Sequence, residues 1–197
     1  MSRARLLLAT AAALALGTAA FAAAAPSCTR HPSDDGTVAV DTEIMAFLSE
    51  ARALHHEANL KQQKSDHAGA IHAMERLVSA QRPHPARKTP EVEEVLADAY
   101  ARLAELRLER GELAEAAAAV TKGLEHVEGA TYFKGHLVEV QGLVEEARAA
   151  QLADAGRAAE AEKTREHAIE LLEEVVRIQD DVIKRSLASD AGSEVPR

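Results

Sequence analysis

Three stretches of this chain repeat one pattern at near-equal spacing. A small residue is followed seven positions on by a turn residue, and five further on by alanine: Ala58–Ser65–Ala70, Ala104–Gly111–Ala116 and Ala149–Gly156–Ala161. Apolar residues follow in register: Met74, Leu77 and Val78; then Val120 and Leu124; then Ala168 and Ile169. Two antiparallel helices approach closely only where both carry small side chains, so each instance reads as a tight helical hairpin. A hairpin cannot bury its apolar face alone, and stacking neighbours is the usual solution. The pattern therefore restricts the chain to an all-α fold.

The helices are legible between these turns. One starts at Asp41 or Thr42, either of which can cap it, and carries Ile44, Leu48, Ala51 and Ala58 on one face. Ser65 and Asp66 can cap the next, which holds Ala70, Ile71, Met74 and Leu77 on one stripe. Pro83 and Pro85 break the chain, and Thr89-Pro90 restarts it with a cap and a first-turn proline. The third helix runs to about 110, where Gly111 accepts the left-handed backbone that ends a helix. A fourth covers roughly 112–126, a fifth roughly 132–155 and a sixth roughly 157–187. Period-two alternation is absent, and aromatics make up only 3 % of the chain, so no strand pattern competes.

The unit from Leu96 to Leu124 resembles a tetratricopeptide repeat. Tyr100, Leu103 and Ala104 precede Gly111-Glu112-Leu113-Ala114-Glu115-Ala116, and Val120 and Leu124 follow, in the family's order of aromatic, leucine, small residue, turn glycine, alanine and apolar positions. The first unit keeps Leu54, Ala58, Ala70, Ile71, Met74 and Leu77; the third keeps Ala149, Gly156, Ala161, Ala168 and Ile169. The turns lie 46 and 45 residues apart, wider than the family's repeat of about 34. The resemblance implies about three antiparallel hairpins over 42–187, stacked as a solenoid; an irregular helical bundle is the alternative. It also implies a concave groove lined by the first helix of each hairpin. Arg52, His55, Asn59 and Gln62 would enter it from the first hairpin, Asp98, Glu105 and Glu109 from the second, and Glu146 and Asp154 from the third. The competing reading is an ordinary wet helix face.

The start of the chain has another character. Arg3 and Arg5 precede an uncharged run from Leu6 to Ala25 that ends in small residues, the form of a signal peptide over 1–27. An uncleaved membrane anchor is the alternative, since about 20 uncharged residues can span a bilayer. Cys28 is the only cysteine and follows that run directly. Its place suggests bacterial lipoprotein processing with Cys28 lipidated; an incidental free thiol after an ordinary leader is the competing reading. Residues 28–41 then read as a flexible tether and 188–197 as a disordered tail. Removing the leader leaves about 170 residues, enough for one core, and moves the net charge from −9 to −11. That balance opposes nucleic acid and anionic lipid, leaving a lipid at Cys28 as the expected membrane contact.

Nothing in the sequence assembles a catalytic set. The glutamates of Glu91-Val92-Glu93-Glu94, Glu145-Glu146 and Glu173-Glu174 read as solvated helix faces, with Arg87 four residues from Glu91 and Arg177 four from Glu173. Nine histidines are present, and folding the first hairpin about residue 64 would bring His56 opposite His72. They are weak candidates for a divalent metal, because no closed ligand set is visible. The expectation is a non-enzymatic scaffold or adaptor without cofactor, exported to the periplasm, with another protein or peptide as partner. Two alternatives stand beside it. One is a structural protein that oligomerises through its last helix, where Leu172, Val175, Val176, Ile178 and Ile183 exceed the needs of one core. The other is a metal- or pH-responsive envelope protein.

Overall fold

The computed structural model describes residues 41–192, which form six helices: α1 Thr42–Gln63, α2 His67–Val78, α3 Pro90–Glu109, α4 Leu113–Leu124, α5 Tyr132–Asp154 and α6 Ala158–Gly192. The all-α expectation holds, with no strand among the described residues. The signal peptide, most of the tether and Cys28 lie outside them. Asp41 caps α1 by accepting from the backbone N–H groups of Glu43 and Ile44, and Asp66 caps α2 by accepting from Gly69 at 2.9 Å. Thr89 occupies the cap of α3 with Pro90 behind it, but its hydroxyl makes no capping bond. Gly111 and Gly156 take positive φ at the second and third hairpin turns, and Ser65 does so at the first. Helix α6 continues to Gly192, past the end expected near 187; Ala188 and Ser189 are small and impose no break.

Each helix packs on the next in the chain, and α3 also touches α1 and α5. The repeat alanines occupy the tightest places: Ala58, Ala70, Ala104 and Ala116 are wholly buried, and Ala149 and Ala161 nearly so. One core cluster runs from Phe47 of α1 through Met74, Leu77, Leu96, Leu106 and Val120 to Leu137, Val140 and Val144 of α5. Gly123 sits where a Cβ would strike Leu137 and lie 3.0 Å from the Tyr100 Cβ, so α4 closes on α3 and α5 only because that position has no side chain.

The last hairpin is built differently. Helix α6 packs on α5 through a small second cluster, Val138, Leu171 and Ile178, with Val175 beside it. Thirty-five residues against twenty-three make α6 about 52 Å long and α5 about 34 Å. Arg185 reaches the carbonyl of Ala130, so the end of α6 runs past the start of α5.

Candidate functional site

Helices α1, α3 and α5, the first members of the three hairpins, share a seam of linked polar side chains. At its centre is Asp98 of α3, with the His55 ring of α1 3.7 Å away on one side and the His136 ring of α5 3.7 Å away on the other. The second ring nitrogen of His136, Nε2, hydrogen-bonds Glu105 at 3.1 Å. Arg102 donates to Glu105 at 2.9 Å, to Asn59 at 3.3 Å and to Gln62. The Gln62 amide in turn donates to Glu109 at 2.6 Å, and His67 lies 3.4 Å from the same carboxylate.

The two imidazoles beside Asp98 are set to opposite charge states. Asp98 against Nδ1 and Glu105 on Nε2 together push His136 up to about 10, against the burial that opposes its charge. The 3.7 Å contact to Asp98 is an ion pair longer than a hydrogen bond, so Glu105 gives His136 its directional anchor. His55 moves the other way: burial lowers it, and the Asp98 charge offsets only part of that cost. Asp98 is held below the usual carboxylate range first by His136 and then by His55 and Arg102. Burial would raise Glu105, but its bonds from His136 and Arg102 outweigh that and lower it. At neutral pH His136 is therefore a cation and His55 is neutral.

Six of the nine residues expected in the groove, His55, Asn59, Gln62, Asp98, Glu105 and Glu109, thus meet in one network. The other three, Arg52, Glu146 and Asp154, are exposed and stand outside it. The network's organisers, Arg102 and His136, are not predicted from the sequence. Arg102 was legible as the i,i+3 partner of Glu105. The distance between positions 98 and 136 leaves His136 without any local signal. The acids of α3 are largely balanced by neighbours, so the seam's centre is less acidic than its composition suggests.

A second cluster closes the connector between α2 and α3. Glu93 is 8 % exposed and is bound by Arg82 and, at 2.7 Å, by His126, on which Tyr100 stacks at 5.5 Å. This corrects the expectation of a solvated Glu93. The folded-back connector brings Arg82 over α3, and the end of α4 delivers His126, so the carboxylate is buried with two partners. A cavity of about 230 Å³ beside it is lined by Lys88, Pro90, Glu94, Val127 and Glu128. His56 and His72 are both exposed, and among the described residues no three potential ligands gather as a metal site. No described helix is long and apolar enough to cross a membrane.

No family model, curated protein or solved structure matches this chain.

Proposed function

We propose that this chain is a non-enzymatic protein-interaction scaffold of the cell envelope, whose tetratricopeptide-like hairpins present the α1–α3–α5 face to an extended polar or basic segment of a partner. The observation that carries the reading is the seam itself, in which side chains from three successive hairpin-leading helices are fixed by one another. A surface whose side chains are already ordered loses little freedom on binding, and that favours recognition. The acids and bases of the seam are tied to each other, an arrangement suited to rigidity. Exposed Arg52 at one end, and Glu139 and Glu146 of α5 at the other, remain to meet a partner.

The test is an array of ten-residue peptides of graded charge probed with the full chain, with hits measured by calorimetry. The reading expects saturable binding by basic or polar peptides, weakened at least 10-fold by Glu139→Lys combined with Glu146→Lys. Affinity unchanged in that double variant would remove this face from the function.

A further inference from the structure

Large apolar side chains exposed on the described surface are unevenly placed. The first two hairpins show only Met45 and Leu60, whereas the last shows Tyr132, Leu143, Ile169, Leu172, Val176, Ile183 and Leu187. On α6 Ile169, Val176, Ile183 and Leu187 stand off the face turned toward α5, which is made by Ala168, Leu171, Val175 and Ile178, with Leu172 at its border. They form a second stripe: at 100° per residue, Ile169, Leu172, Val176, Ile183 and Leu187 fall within about 60° of one another. Val176 is 62 % exposed and Leu187 65 %. Leu172 touches α5 at Gly142, which joins the stripe to Leu143 as one surface. Monomers rarely leave contiguous apolar patches above about 300–600 Å².

We propose that this face is covered by the same face of a second copy, with the two α6 helices antiparallel and a two-fold axis at Val176. The register comes from the stripe. Ile169 and Ile183 lie seven residues on either side of Val176, so the two-fold sets Val176 on Val176 of the second copy and Ile169 on its Ile183. In such an isologous contact each residue meets the counterpart that the symmetry prescribes. Charge along the exposed margin selects the direction. Across 162–175 five glutamates outnumber Lys163 and Arg165, and across 177–187 Arg177, Lys184 and Arg185 outnumber Asp180 and Asp181. Antiparallel copies bring the glutamates of one helix beside the bases of the other, whereas parallel copies stack glutamate on glutamate. The five large side chains of the stripe are 39–65 % exposed and supply the apolar centre of an interface of the standard size, about 800 Å² per partner. Leu187 lies on the part of α6 beyond Arg185, the residue that reaches back to Ala130, so a second copy covers what α5 does not reach. Asp180 lies at the edge of the stripe and keeps the association moderate.

Sedimentation velocity of the full chain tests this, together with oxidation of single-cysteine variants in a Cys28→Ser background. The expected result is a concentration-dependent dimer at micromolar protein. Val176→Glu weakens it at least 10-fold with helicity unchanged, and Asp180→Leu tightens it. Val176→Cys cross-links to itself, and Ile169→Cys cross-links to Ile183→Cys on mixing far more than either does alone. A monomer at every concentration overturns the proposal. If the thiol of the Val176→Cys variant is shielded from alkylation in that monomer, the face belongs to another segment of this chain; if Val176→Glu abolishes binding to phosphatidylcholine vesicles, it belongs to a membrane. A dimer indifferent to Val176→Glu, or one in which Ile169→Cys links best to itself, also overturns it. None of these outcomes depends on the α1–α3–α5 face.

Discussion

The first five helices and the last one solve the same problem in different ways. From α1 to α5 the apolar side chains enter one continuous core, and the polar ones on the hairpin-leading helices tie to one another. Helix α6 touches only α5, buries one of its two apolar stripes and leaves the other in water. A helix needs one apolar stripe to join a core; a second is explained by a second neighbour. The contrast separates residues that hold the fold from residues that offer a surface, and substitutions in the two regions should behave differently.

The largest difference is expected from truncating large apolar residues. Leu106 is wholly buried, and Leu106→Ala should cost about 2–5 kcal/mol in urea unfolding. Ile183→Ala, on the outer stripe, should shift the stability of dilute protein by less than about 0.5 kcal/mol. Equal losses would erase the distinction.

The polar seam should show itself in pH dependence. His136 is raised to about 10 in the fold, and histidine in the unfolded chain titrates near 6.5. Its contribution is therefore fully present below about pH 6.5 and is lost as pH rises toward 10. The ring is partly exposed, so solvent screening reduces the effect to about 1–3 kcal/mol between about pH 6 and 10. His136→Gln should flatten that slope in urea titrations at fixed pH. An unchanged slope would mean that His136 is not held charged in the seam.

Glycines sharpen the comparison at smaller scale. Gly123→Ala drives a methyl into Leu137 and against Tyr100, and should destabilise by about 1–2 kcal/mol. Gly135→Ala, in the last hairpin, meets the flexible amide of Gln179 and also gains helix propensity. It should be neutral or stabilising by up to about 0.5 kcal/mol, as thermal melts of the two variants would show.

Much of this was legible because it is local. Turn residues, caps and the small-residue pairs of the hairpins depend on neighbours a few positions away, and the helices fall within a few residues of their expected bounds. Ala104 and Ala116 announced their burial through their distance from Gly111. The seam was half legible: helical spacing put His55, Asn59 and Gln62 on one face and Asp98, Glu105 and Glu109 on another. That His136 would join the two needed the path of the chain through α4. Glu93 looked like any helix-surface acid, because its partners arrive from positions 82 and 126. The length of α6 escaped for a different reason: its last turns lack both a stop signal and a core-facing pattern.

Hydrogen exchange of the full chain, followed by mass spectrometry at low and high protein concentration, tests the division most directly. Amides of α3 and α4 should exchange slowest, through global unfolding, at both concentrations. Those of α6 beyond Arg185 should exchange almost at once in dilute protein and become protected when it is concentrated. Protection of α6 equal to that of α3 in dilute protein, and independent of concentration, would contradict the account.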